Sequence, residues 1–132
     1  QIERAPFVRQ YAEGGVAGTF VALAALAAAV SDGLIPEAAP ALVYAWQPEA
    51  TPGSVQALRA VIAATGRNVE LALCQHPGGR PVCWCRPPLP GMLLAFAGRQ
   101  RIDLRQSTLV GASTTDAAMA RALGMSFQKV SA

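Results

Sequence analysis

All three cysteines of the chain and its only histidine fall within twelve residues, as Cys74-Gln-His76 and Cys83-Trp-Cys85. Thiolate and imidazole are the ligands that zinc prefers, and four of them close a tetrahedral shell with no open position for water. The intervening residues 77–82 are mostly turn formers, so a bound metal would supply the free energy that orders them. The pattern predicts a structural zinc loop over residues 74–86. The alternative is three unpaired thiols and a surface histidine.

The composition limits the class of protein to which the chain can belong. Apolar residues make up 52% of its 132 residues, which excludes a disordered chain. Three cysteines cannot staple a domain of this size in pairs, which excludes a disulfide scaffold. Cysteines gathered in a metal-like cluster are instead typical of a reducing compartment, so we expect a cytoplasmic protein. The length suits one domain spanning residues 1–132.

The charged residues bear on two further points, the class of partner and the class of reaction. Ten arginines and one lysine, Lys129, are scattered along the chain against eight acids, and no dense basic run appears, so we expect no nucleic-acid partner. The two closest acids are Asp32 and Glu37, five positions apart, and the chain holds no Asp-x-Asp pair. A reaction that needs two neighbouring carboxylates in that spacing therefore lacks its residues here.

Short apolar segments alternate with longer helix-like segments along the chain. This alternation is typical of a three-layer, Rossmann-like α/β domain with a mainly parallel sheet. The strands are predicted at 6–11, 41–46, 69–74, 107–110 and 125–130. The helices are predicted at 16–30, 51–65, 90–99 and 116–123.

The uncharged segment 16–30, VAGTFVALAALAAAV, has three interpretations. We expect a buried core helix because the segment is apolar nearly all round. A membrane span needs about 20 predominantly apolar residues, which is more than this Ala-rich run offers. A signal peptide is the third interpretation, but the residues before the run include Glu3 and Glu13 as well as two arginines. We expect no membrane association.

Two stretches resemble a known family. Residues 74–92, CQHPGGRPVCWCRPPLPGM, are similar to the zinc loop of the class IIIA haloacid-dehalogenase-like hydrolases, which include the heptose bisphosphate phosphatases and the histidinol-phosphatase domains. Residues 109–124, LVGASTTDAAMARALG, are similar to the fourth motif of that family and the helix after it. The resemblance covers residues 40–128 well and residues 5–40 weakly. It implies a haloacid-dehalogenase-type domain without a cap domain, in which the zinc loop takes the cap's place.

The resemblance also implies chemistry that this sequence lacks. The family uses two aspartates, two residues apart, at the end of the first strand, and we place Arg9 and Tyr11 at those positions. The family's Thr-Asn-Gln after the second strand is here 45–47, Ala-Trp-Gln, so the hydroxyl is lost. The family's Cys-Arg-Lys-Pro is here 85–88, Cys-Arg-Pro-Pro, so the lysine is lost. Its Gly-Asp in the fourth motif is here 111–112, Gly-Ala.

Three retained residues are candidate ligand contacts, and no residue is assigned a catalytic role. Arg86 and Gln47 stand where the family contacts the substrate phosphate; each is otherwise a surface residue. Asp116 is the remaining acid of the fourth motif. It suits the first turn of a helix, where the helix dipole favours a carboxylate, better than it suits a metal site.

The expected function is therefore a catalytically degenerate phosphatase-like domain that serves as a binding or interaction module. Its partner would be a phosphorylated small molecule or another protein, and its cofactor a structural Zn²⁺ without Mg²⁺. One alternative is an active Mg²⁺-dependent sugar-phosphate phosphatase with displaced acids. Another is a purely structural domain of a larger protein of sugar metabolism.

Overall fold

A computed structural model describes residues 14–78, 83–87 and 89–131. Its five strands are β1 Thr19–Ala22, β2 Ala41–Trp46, β3 Val69–Cys74, β4 Thr108–Gly111 and β5 Ser126–Lys129. Its four α-helices are α1 Leu26–Ser31, α2 Pro52–Ala63, α3 Gly91–Gln100 and α4 Thr114–Leu123. Single 3₁₀ turns occupy Leu23–Ala25 and Leu104–Gln106. The predicted strand at 6–11 lies outside the described residues.

The five strands form one sheet in the order β3-β2-β1-β4-β5, and every neighbouring pair is parallel. Crossovers between parallel strands are right-handed, which places α1 and α2 on one face of the sheet and α3 and α4 on the other. The predicted three-layer α/β fold is confirmed.

The predicted helix over 16–30 is wrong for most of its length. Residues 19–22 form β1, the central strand, which pairs with β2 on one side and with β4 on the other. A helix begins only at Leu26. A short apolar run has no periodicity that separates a buried strand from a buried helix, and here two partner strands decided the outcome. Thr19, Phe20 and Val21 also favour a strand, because β-branched and aromatic side chains fit the pleated surface.

This correction moves the end of the first strand of the sheet. Arg9 and Tyr11, which we placed there, lie outside the described residues. The central strand ends at Ala22 and is followed by Leu23 and Ala24. Arg9 and Tyr11 precede β1 in the chain, so they are not the residues that end the first described strand.

The other predicted elements agree closely with the structure. β2 and β3 have the predicted bounds, and β4 is shifted by one residue. Thr51 caps α2 with Pro52 in the first turn, and Ser54 completes a reciprocal capping box with Thr51. Gly124 ends α4 in the left-handed conformation with φ at 75°, which glycine adopts without a steric penalty.

The core lies between the sheet and α3 on one face. Phe20 on β1 meets Phe96 on α3 edge-to-face, with ring centroids 5.7 Å apart. Leu93 and Ala97 on the same helix are buried beside them. None of the helices in the described ranges is long and apolar enough to cross a membrane.

Candidate metal centre and crevice

The cysteine and histidine side chains of the loop converge on one point. Cys74 is the last residue of β3, and the loop after the strand carries His76, Cys83 and Cys85. The Cys74 sulfur lies 3.3 Å from that of Cys83 and 3.1 Å from that of Cys85. The Nδ1 atom of His76 lies 3.5 Å from the Cys74 sulfur and 3.2 Å from the Cys85 sulfur. All four ligand atoms lie within 4.8 Å of one another, so this metal cluster could hold one ion.

The thiols of the metal cluster influence one another's ionisation. Burial opposes ionisation of Cys83, but hydrogen bonds with the Cys74 and Cys85 thiols and with the backbone N–H groups of Arg86 and Cys85 together outweigh it and lower the pKa of Cys83 to about 7. Burial and the contacts with Cys74 and Cys83 raise the pKa of Cys85 to about 12. Like charges disfavour one another's ionised form, so a bound cation would favour thiolates held this close together.

The donor set fits a soft divalent metal. Three sulfurs and one imidazole nitrogen form a complete tetrahedral set for zinc. Zinc–sulfur bonds of about 2.3 Å place tetrahedral sulfurs about 3.8 Å apart, which needs a shift of roughly half an ångström from the present arrangement. The expected metal ligands are therefore brought together.

The metal loop packs against the end of β2. The Trp46 indole Nε1 donates a 2.9 Å hydrogen bond to the His76 carbonyl. The Arg86 guanidinium lies over the Trp46 ring, 5.3 Å from its centroid, and donates to the Pro77 carbonyl at 3.5 Å. The Gln47 N–H donates to the Cys74 carbonyl at 2.8 Å. The position of the indole thus depends on His76, an expected metal ligand, and on Arg86, which follows the ligand Cys85.

A crevice of about 420 Å³ opens at the carboxyl ends of β1 and β2. This end of an open parallel sheet is where α/β proteins bind their ligands. The crevice is lined by the last residues of β1 and β2 and those just after them, by Pro87, which follows the 74–86 metal loop, and by one residue of α4. They are Ala22, Leu23, Ala24, Tyr44, Ala45, Trp46, Gln47, Pro87 and Asp116.

Asp116 is the acid among these lining residues, and hydrogen bonds occupy both of its oxygens. Oδ1 accepts from the Tyr44 hydroxyl at 2.7 Å. Oδ2 accepts from the Ser113 hydroxyl at 2.9 Å and from the N–H groups of Ala112 and Ser113 at 3.3 and 3.4 Å. Burial and the bond to Asp116 raise the pKa of Tyr44 far above its ordinary value, so its hydroxyl stays a donor. The carboxylate caps α4 and ties it to β2.

The three ligand contacts predicted from the sequence lie in different places. Gln47 and Asp116 line the crevice together. Arg86 packs on Trp46, which lines the crevice, but is not itself among the lining residues. Trp84, between two of the cysteines, is 63% exposed, and its carbonyl accepts a hydrogen bond from the Gly91 N–H.

Sequence reasoning missed the floor of the crevice. Ala22, Leu23 and Ala24 were assigned to the interior of a helix, and Tyr44 was noted only as part of a strand. The available signal was the run Thr19–Ala22, in which β-branched and aromatic residues precede the alanine-rich stretch.

Comparison with known proteins bears on the fold. No family model matches the sequence, and no curated protein matches it. A crystal structure from Mesorhizobium loti, of a protein described as a HAD-like phosphatase, superposes with a TM-score of 0.60. The fold is haloacid-dehalogenase-like. The two chains are 17% identical, and the match covers 84% of this chain and 70% of the other. At that identity the haloacid-dehalogenase likeness concerns the fold and not the reaction.

Proposed function

We propose that this chain is a catalytically inactive phosphatase-like domain that binds a small molecule or a protein, and that a structural zinc ion holds its 74–86 loop. The activity of the class IIIA phosphatases depends on carboxylates, a hydroxyl and a lysine arranged around one phosphoryl group. Phosphoryl transfer depends mainly on positioning and charge neutralisation, so the loss of any one of those groups impairs the reaction.

The observation that carries the proposal is the lining of the crevice. The residues at the end of the central strand, where the class places its two aspartates, are Ala22 and Ala24. Ala45 stands where the class has its hydroxyl, and Pro87 stands where it has its lysine. These positions from three motifs all line one crevice, together with Asp116 of the fourth. A methyl group neither attacks phosphorus nor moves a proton.

The remaining polar groups do not replace the missing ones. Asp116 is held by four donors, which suits a capping residue better than a ligand of Mg²⁺, since Mg²⁺ needs carboxylate oxygens free to coordinate it. The single lysine, Lys129, lines a different cavity, at the ends of β4 and β5, together with Asp32 and Ala112. The folded chain thus keeps a crevice at the carboxyl ends of the strands, but the crevice lacks the charged groups that the phosphatases of this class use.

Zinc is proposed on the donor set alone. Three thiolates and an imidazole are the ligands that select zinc over harder cations, and four protein ligands leave no position for a reacting water. The metal would then fix the loop that carries Arg86 and Pro87 against β2.

The decisive experiment measures phosphate release from a panel of sugar mono- and bisphosphates, with and without Mg²⁺. We expect release at the level of a buffer blank in every case. Asp116→Asn serves as the matched variant. Mg²⁺-dependent turnover that survives repurification and is lost in Asp116→Asn would overturn the proposal and favour an active phosphatase with displaced acids.

A further inference from the structure

We propose that the crevice binds an uncharged, flat, mainly apolar small molecule in preference to a phosphorylated one. The inference rests on the proposed function, because it takes the crevice as a binding site without turnover, and it names the class of ligand.

Size and lining chemistry give the first argument. A volume of about 420 Å³ lies within the range of small-molecule sites, roughly 300–1,000 Å³. The side chains of Ala22, Leu23, Ala24, Ala45 and Pro87 present only carbon to it. Such a lining favours a ligand whose apolar surface is removed from water on binding. A phosphate buried against carbon would lose its hydration and gain no hydrogen bond in exchange.

Charge gives the second argument. Asp116 brings a carboxylate to the crevice, and its Oδ2 already takes the N–H groups of Ala112 and Ser113 at the start of α4. Backbone N–H groups at a helix N-terminus are where a phosphate would otherwise be bound. A phosphate entering here would meet a like charge and donors that are already in use.

The Trp46 indole gives the third argument. It is 41% exposed at the crevice wall, and its orientation is set by the bond to the His76 carbonyl and by Arg86 over the ring. A fixed, partly exposed indole is a stacking surface for a flat ring, because aromatic pairs gain energy in offset or edge-to-face contact. The Gln47 amide beside it offers both a donor and an acceptor for one polar group of a neutral ligand.

The test uses 1-naphthol and 1-naphthyl phosphate, which share one ring system and differ in the phosphate. Binding is followed by NMR at the indole N–H of Trp46, with Trp84 as the internal reference, in buffer without added Mg²⁺. We expect saturable shifts of the Trp46 signal with 1-naphthol and at least tenfold weaker binding of 1-naphthyl phosphate. Equal or tighter binding of the phosphate, or no response to 1-naphthol, would overturn the inference.

Two variants locate the site. Ala24 is exposed at the crevice, so Ala24→Phe fills the crevice without disturbing the core and should weaken 1-naphthol binding at least tenfold. Ala27→Phe is the control, because Ala27 is equally exposed on α1 and does not line the crevice. Gln47→Arg adds a cation to the wall and should tighten 1-naphthyl phosphate binding. Unchanged 1-naphthol binding in Ala24→Phe would place the ligand elsewhere and overturn the inference.

The two proposals fail in different ways. Mg²⁺-dependent hydrolysis of 1-naphthyl phosphate would overturn the proposed function. Absence of hydrolysis together with preferred binding of the phosphate would leave the proposed function standing and overturn only the ligand class.

Discussion

Among the residues that line the crevice, Asp116 shows how one side chain can belong to the fold rather than to a reaction. Its carboxylate accepts from a tyrosine, a serine and two backbone N–H groups, and Gly111 gives it room. A Cβ added at Gly111 would lie 2.6 Å from the Cβ of Asp116, so a larger residue there would displace the acid. The bond from Tyr44 connects this helix cap to the sheet.

The first prediction concerns that bond. Tyr44→Phe removes the hydroxyl and leaves a buried carboxylate oxygen without a partner, which should lower the free energy of unfolding by about 1–3 kcal/mol. Urea denaturation measures the change. In a double-mutant cycle with Asp116→Ala, the two effects should fall short of additive, because each change by itself removes the same Tyr44–Asp116 contact. Stability equal to that of the unsubstituted protein, or full additivity, would contradict the interpretation.

The second prediction concerns Asp103, which caps the 3₁₀ turn Leu104–Gln106. The Gln106 amide donates to it at 2.8 Å and the Arg105 N–H at 3.1 Å, and these bonds outweigh burial and lower the pKa of Asp103 below its ordinary value of 3.8. A lowered folded-state pKa contributes stability above the unfolded-state pKa, and the contribution is lost as pH falls through the folded-state value.

We therefore expect Asp103→Asn to be less stable at neutral pH and to lose less stability than the unsubstituted protein between pH 5 and strong acid. Thermal unfolding over a pH series gives the comparison. The control is Asp32→Asn, since Asp32 is exposed. If Asp103→Asn and the unsubstituted protein lost the same stability between pH 5 and strong acid, Asp103 would not contribute to the pH dependence of unfolding.

At the scale of elements, the metal loop and the end of β2 behave as one unit. Two of the expected ligand residues, Cys74 and His76, accept hydrogen bonds through their backbone carbonyls from Gln47 and Trp46. The loop has few apolar side chains, so a metal held by this cluster would, together with these contacts, supply its order.

The third prediction follows from this coupling. Removing the metal with a chelator should lower the melting temperature and change the emission of Trp46, because the loop that holds the indole loses its order. Trp84→Phe isolates the Trp46 signal and should keep the response to the chelator. Cys85→Ser should melt lower than the unsubstituted protein and respond less to the chelator. A melting curve unchanged by chelation, with no zinc found by elemental analysis, would refute the metal site.

At the scale of the whole molecule, the position of β1 decides where the crevice lies. β1 is paired on both sides and all four of its residues are buried, whereas β3 and β5 form the edges of the sheet. The strand order reverses around β1, which opens the crevice beside its carboxyl end.

The fourth prediction tests this placement of β1. Amides paired on both sides in the centre of a sheet open only with large-scale unfolding, so those of Phe20 and Val21 should exchange with solvent more slowly than those of β5. Hydrogen exchange followed by NMR measures the rates. Fast exchange in 19–22, or helical chemical shifts there, would restore the helix first expected for this segment.

The local features of this protein follow from short stretches of its sequence. The strands at 41–46 and 69–74, the Thr51 cap, the Gly124 stop and the convergence of the three cysteines with His76 could all be predicted, because each depends on residues close together in the chain. The ligand spacing also indicated which residues would meet.

The conformation of residues 16–30 and the lining of the crevice depend instead on contacts between distant parts of the chain. Ala, Leu and Val suit a buried helix and a buried strand alike, and the choice depended on β2 and β4, which lie far along the chain. The same pairing brought Ala22 and Ala24 beside Trp46, Pro87 and Asp116. Contacts between residues that are distant in sequence have no local signature, so the apolar floor of the crevice appeared only when the sheet was assembled.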